Sequence, residues 1–188
     1  MDTQAAVEDA VSPAGATESV TRVHHDLAPG SSTFVGPSTA AAPPRAIPAR
    51  LVEYAPGCRI ALPVHATLEV LEPAPIVEVP GARDGWRGLL RWRGDWLPVV
   101  DLAGRLGVEG AAETGGHLLV LGWRPAPGQP FRYGALVLRS MPTTLRFGDD
   151  DQCSIPTDQA LWAEIALSCV WHDGRAVPIV DPARLFGG

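Results

Sequence analysis

From Ala49 onward the chain is a series of short apolar runs, each closed within a few residues by Gly or Pro. This punctuation constrains the fold more than any other feature. An amphipathic helix needs an apolar stripe at helical period over roughly 11 positions or more, whereas runs of about 4–8 residues between turn signals read as strands. Segments 50–54, 59–64, 68–71 and 76–79 fit the strand description, with Pro56-Gly57 turning the chain between the first two. Segments 86–92 and 96–100 follow, joined at Arg93-Gly94-Asp95, and 116–123, 133–139, 164–171 and 176–180 complete the series. Helical signals are short and local, at 101–106, 157–162 and 181–186. With no long helix between the strands a βαβ arrangement fails, and an all-β sandwich or barrel is expected.

The pattern starts abruptly. Residues 1–48 are rich in Ala, Ser, Thr and Pro and hold one aromatic, Phe34. Such a stretch cannot bury enough apolar surface to offset its chain entropy, so a disordered leader is expected over 1–48 and the folded domain over 49–188. His24-His25 lies in that leader and reads as solvated rather than as a metal site. The first residues carry no basic start and no apolar core, so no signal peptide is expected. No apolar run approaches the roughly 18 residues of a membrane helix. With three cysteines and no Cys-x-x-Cys spacing, these features predict a soluble cytoplasmic protein without membrane insertion.

Within the domain one segment repeats at an offset of 80 residues. Gly94-Asp95-Trp96-Leu97-Pro98-Val99-Val100-Asp101-Leu102-Ala103-Gly104-Arg105-Leu106-Gly107 lies over Gly174-Arg175-Ala176-Val177-Pro178-Ile179-Val180-Asp181-Pro182-Ala183-Arg184-Leu185-Phe186-Gly187. In each copy a turn glycine opens a strand, Pro sits where no ladder donor is needed, and an aspartate can cap a short helix. Asp101 and Asp181 therefore read as helix caps, with a catalytic carboxylate pair as the alternative. Two such units imply two similar β subdomains.

Composition removes several kinds of chemistry. All 15 basic residues other than histidine are arginine. Without lysine there is no Walker-type phosphate loop, no pyridoxal Schiff base and no lysine nucleophile. The net charge of −6 argues against general nucleic-acid binding. Nucleophile-elbow, zinc-protease and dinucleotide fingerprints are missing. Cys169 and His172 could form a nucleophile pair only if the fold brought them together, and His172-Asp173 before Gly174 reads more simply as hairpin chemistry. His65 and His117 lack ligand spacing, so neither metal nor cofactor is expected. Trp86, Trp92 and Trp96 crowd into eleven positions. Strand alternation puts Trp86 and Trp92 on one face with Gly88 and Leu90, as core, and leaves Trp96 beside the turn. Exposed aromatics next to arginine suit a protein-binding surface, or alternatively a single-stranded nucleic-acid platform.

Ile60-Ala61-Leu62-Pro63-Val64 with Leu68-Glu69-Val70, Trp86-Arg87-Gly88-Leu89-Leu90-Arg91-Trp92-Arg93-Gly94, Leu97-Pro98-Val99-Val100-Asp101-Leu102 and the closing Pro178-Ile179-Val180-Asp181 stretch resemble, in order and spacing, the CheW-like family of chemosensory adaptors. The resemblance spans about residues 49–187. Two positions depart from the family pattern: Leu138 stands where an aspartate is usual, and Arg91 where asparagine is usual. These departures suit a divergent paralogue, such as those of type IV pilus chemosensory systems. The resemblance implies two five-stranded β-barrel subdomains with short helices and a non-enzymatic role. The implied partners are a chemoreceptor cytoplasmic tip, held as a helix in an apolar groove between the subdomains, and the regulatory domain of a CheA-type histidine kinase. It places receptor contact at Arg93, with Gly94, Trp96 and Val99 beside it; a surface ion pair is the plainer reading of Arg93. The runner-up function is an Arg/Trp-based single-stranded nucleic-acid binder.

Overall fold

The computed structural model describes residues 46–108 and 116–187. Most of the expected leader, His24-His25 included, lies outside the described residues. The first hairpin is β1 (Ile47–Ala55) and β2 (Cys58–Pro63), turned at Gly57 with φ of 69°. β1 starts two residues before the expected domain boundary because Ile47 and Pro48 pair with Phe147 and Arg146. A single 3-10 turn leads to β3 (Thr67–Leu71), followed by β4 (Ile76–Val77), β5 (Trp86–Trp92), β6 (Asp95–Val100) and helix α1 (Leu102–Leu106). β7 (Leu118–Trp123), β8 (Arg132–Val137), β9 (Thr143–Phe147) and β10 (Gln152–Cys153) come next. The chain closes with α2 (Ala160–Ile165), β11 (Ala166–His172), β12 (Arg175–Val180) and α3 (Pro182–Phe186).

The strands form two sheets, ordered β10-β11-β12-β2-β1-β9 and β3-β7-β8-β6-β5-β4. The all-β expectation holds. The count per sheet is six rather than five, because each sheet gains a two-residue strand, β10 or β4. β9 and β10 were not anticipated; β9 is a half-exposed edge strand, and β10 is too short to leave a period. The second helix lies three residues later than expected. Trp162 and Ile165, spaced for one helical face, are both buried, and this carries the helix through Ile165 into what was read as strand.

The repeat is realised at full length. Adding 80 converts β5 into β11, β6 into β12 and α1 into α3. In one sheet β6 lies parallel to β8, and in the other β12 lies parallel to β2. The second unit is thus assembled from β9–β12 and the N-terminal hairpin β1–β2, while the first is continuous from β3 to β8. A bulge recurs too. The register slips between Trp86 and Gly88 and again between Ala166 and Ser168. It overturns the expectation that Trp86 and Trp92 share a face. An inserted residue reverses the alternation, so Trp86 packs on Phe186 against the shared core while Trp92 packs with Leu90 and Leu97.

Three apolar clusters result. One is shared by both sheets and the helices, with Val52, Ile60, Leu62, Leu121, Leu136 and Leu185 among its members. Two smaller ones fill the inner curve of each sheet, around Leu97 and Val99 in one and around Leu51 and Val170 in the other. Gly88 and Gly134 permit close approaches. A Cβ at Gly88 would lie 2.1 Å from the Val77 carbonyl oxygen, and one at Gly134 would meet the Phe186 ring.

Both repeat aspartates cap helices, as expected of their place ahead of short helices. Asp101 Oδ1 accepts from Ala103 N at 3.1 Å and Gly104 N at 3.4 Å, and Asp181 Oδ1 accepts from Ala183 N at 2.9 Å. Asp101 is 1% exposed, with Arg87 3.6 Å away. Asp181 is more open and meets Arg184 at 3.8 Å. Equal sequence with unequal burial predicts unequal cost. Asp101→Ala should lose about 2 kcal/mol and Asp181→Ala about 1 kcal/mol in urea unfolding. Equal losses would show that the cap bonds alone set the cost.

Candidate functional site

Of the expected contact residues, Arg93 and Gly94 form the tip of the β5–β6 hairpin. Trp92 pairs with Asp95 across the tip, and the two turn residues have φ of 48° and 97°. Two successive positive φ values suit the right-handed twist of a two-residue hairpin, and they favour Asn, Asp or Gly. Gly94 fits, and a Cβ there would meet nothing within 4 Å, so its part is conformational. Arg93 does not fit, being one of only two non-glycine residues with positive φ among the described residues. The other is Asp173, its counterpart in the second unit.

The Arg93 side chain is anchored from below. Its Nη2 donates to Glu69 Oε2 at 2.9 Å, and Trp92 Nε1 donates to the same oxygen at 3.0 Å. The guanidinium carbon lies 4.7 Å from the Trp92 ring centroid, a cation–π distance. Glu69, on β3, therefore fixes an arginine side chain that remains 68% exposed. From Trp92 an aromatic row continues across the sheet to Tyr133 at 5.4 Å and Phe131 at 6.3 Å, ending with Arg124 over Phe131 at 4.5 Å. Sequence reasoning noted Glu69 only as part of a motif and missed Tyr133, Phe131 and Arg124. No spacing signal joins them, because β3, β5 and β8 are neither close in sequence nor paired with one another in the sheet.

Trp96 is 52% exposed, and its cross-strand neighbour Arg91 stands 5.3 Å over its ring. The unusual Arg91 thus shields an exposed tryptophan. Val99 is different: it is fully buried in the inner core of its sheet. The expectation that it contacts a partner is corrected, since its strand turns it inward. Leu138, the other departure, is also buried, in the shared core, where an aspartate would be uncompensated.

An apolar groove of about 680 Å³ opens on the first sheet, lined by Ile47, Val64, Phe147, Gln152, Val170 and Ile179. It lies within one sheet rather than along the junction of the two, where the implied groove was placed. A smaller space of about 360 Å³ lies beside β5 and β6 against Val79, Trp86 and Leu89.

Cys169 is fully buried and contacts the Cys153 Sγ at 3.0 Å. Burial, reinforced by Cys153, pushes its thiol from the ordinary 9.0 up to about 12, the opposite of what a nucleophile requires. His172 instead packs edge-on against Phe147 and faces Asp173 at 3.3 Å. His117 meets Glu72 at 3.4 Å, and His65 lines the large groove. Among the described residues no three His, Cys, Asp or Glu side chains cluster as metal ligands, and no helix is long and apolar enough to cross a membrane.

Two duplicated β units thus share a core, and an anchored arginine stands on a hairpin tip with aromatic residues beside it. A profile described as the CheW-like domain matches residues 54–188, and the chain belongs to that family, whose members are chemotaxis scaffolds rather than enzymes. The solved structure of the scaffolding protein TtCheW from Thermoanaerobacter tengcongensis is similar, with a TM-score of 0.60 at 15% identity. The likeness covers 74% of this chain and 86% of that one, and it is a likeness of fold. Comparison with curated proteins gave no match.

Two measurements follow from this geometry. Arg93→Asn exchanges a weak exposed ion pair for a better turn residue, so unfolding stability should stay within about 1 kcal/mol of the parent. Arg93→Val, β-branched at positive φ, should lose about 1–3 kcal/mol. Similar losses from both would make the guanidinium itself structural. Separately, alkylation of the native chain near neutral pH should modify Cys153 and leave Cys169 untouched; labelling of Cys169 as fast as Cys153 would contradict its burial.

Proposed function

We propose that this chain is a non-enzymatic chemosensory adaptor that holds a chemoreceptor cytoplasmic tip and the regulatory domain of a CheA-type histidine kinase in one assembly. It acts in the cytoplasm, in chemotaxis or in type IV pilus-driven motility. The observation that carries this reading is Arg93: an exposed guanidinium, fixed by Glu69 and Trp92, on a turn whose backbone favours another residue type. A side chain kept where the backbone disfavours it points to a use outside the fold. Arginine presents a planar fork of donors to carboxylates or helix-end carbonyls, and pre-anchoring lowers the entropy lost on docking. Trp96 adds apolar area beside it.

As an adaptor the protein transfers geometry rather than atoms. Its rigid shared core sets the spacing and angle between two bound partners, so a change in receptor conformation reaches the kinase as a change in position. Family membership supports this reading in general terms, and the hairpin tip supports the particular surface.

The test is titration of the full chain with a receptor-tip fragment and, separately, with the kinase regulatory domain. Retention of both at on the order of tens of micromolar is expected. Arg93→Asn should weaken the receptor complex about tenfold or more while leaving kinase binding and the thermal melt nearly unchanged. Retention of neither partner overturns the proposal. Binding of single-stranded oligonucleotides that falls steeply with salt would favour the nucleic-acid alternative instead.

A further inference from the structure

We propose that Cys153 and Cys169 are a thiol pair that hydrogen peroxide converts into a disulfide, clipping β10 onto β11 at the edge of the first sheet. The two residues are direct partners in the antiparallel register, and their sulfurs are 3.0 Å apart. Directly opposed residues in such a ladder have Cα atoms about 4.5–5.5 Å apart, within the range a disulfide spans. No large backbone movement is needed to close the bond.

The repeat shows that packing alone does not call for sulfur here. In the first unit β4 pairs with β5, and the pair equivalent to Cys153 and Cys169 is Val77 and Leu89. Two ordinary apolar side chains fill that position, so the thiols bring chemistry that the fold does not require. The strand they would secure is weakly held. β10 has two residues, joined to β11 through Gln152 with Val170 and through the cysteine pair itself.

The accessibilities assign the order of events. Cys153 is partly exposed, whereas Cys169 is fully buried. Peroxide oxidises the Cys153 sulfur to a sulfenic acid, and the peroxide O–O bond breaks to release one water. The Cys169 sulfur, held in place, then attacks the Cys153 sulfur. The S–S bond forms, the S–O bond breaks, and hydroxide leaves with the Cys169 proton as a second water. Two thiols and one peroxide yield one disulfide and two waters. The raised Cys169 thiol is offset by proximity, since the attack is intramolecular. Gln152, Cys169 and Val170 all line the large apolar groove, so the clip fixes one wall of that groove.

The experiment uses the full chain, treated with hydrogen peroxide, unfolded, and alkylated. The expected product has lost two hydrogen atoms, carries label on Cys58 alone, and yields a cross-linked peptide joining the segments that hold Cys153 and Cys169. A dithiol reductant restores all three labels. In the oxidised chain, amide hydrogen exchange at Gln152 and Cys153 should slow about tenfold or more. Three labelled thiols after peroxide, a sulfinic acid at Cys153, or a bridge to Cys58 would each overturn the pairing. A disulfide that leaves exchange unchanged would overturn the clip. Cys58→Ser should leave the cross-link intact, and its disappearance would likewise count against the proposal.

Discussion

The strands at the centre of each sheet are buried on both faces, and this constraint governs much else in the domain. One face of every central strand meets the shared core, and the other meets the inner cluster of its own curved sheet. Leu118, Leu119, Val120 and Leu121 are consecutive and all buried, as are Ala135, Leu136 and Val137. The sequence accordingly shows continuous apolar runs instead of the alternation of a half-exposed sheet. With the central strands covered, the exposed side chains stand at hairpin tips, strand edges and the open end of a sheet. That is where Arg93, Trp96 and the large groove are found.

The permuted repeat determines how the two halves depend on each other. β2 joins β12 through a parallel pairing of Ala61 with Ile179, so the C-terminal unit is completed by the N-terminal hairpin. The units are tied again where Arg105 of α1 donates to the Leu185 carbonyl of α3 at 2.6 Å, and where Phe186 stacks on Trp123 at 4.9 Å. Closing the second unit thus brings together residues more than a hundred positions apart. Topologies of that kind fold slowly for their size. For an adaptor the same feature is useful, since neither sheet can tilt far without disturbing the common core.

The legible part of this fold was the part written in local chemistry. Gly-bounded apolar runs, Asp101 and Asp181 ahead of short helices, and the 80-residue offset each rest on residues close in sequence. What was hidden depends on neighbours across the sheet. The bulge between Trp86 and Gly88 leaves no compositional mark, yet it sends two tryptophans to different cores. β9 exists because β1 offers it a ladder, and Val99 is internal because its sheet curls over it. The site was readable to the same degree. Arg93 stood out through resemblance, whereas Glu69, Tyr133 and Phe131 joined it only once β3, β5 and β8 were assembled.

The duplication also separates what the fold needs from what it carries in addition. The two hairpin tips, Arg93-Gly94 and Asp173-Gly174, have nearly the same backbone, with first-residue φ values of 48° and 49°. Asp173 is a residue that conformation favours, and it spends its carboxylate inside its own unit, on Arg59 at 2.9 Å. Arg93 pays a conformational cost and turns most of its surface outward. Because the two backbones match, the requirement of the turn cannot be what selects arginine. The same comparison works at the short edge strands, where Val77 and Leu89 in one unit are the equivalents of Cys153 and Cys169 in the other. Positions that agree between the units describe how this β architecture is held together. Positions that differ at equal geometry are ones the shared architecture does not account for.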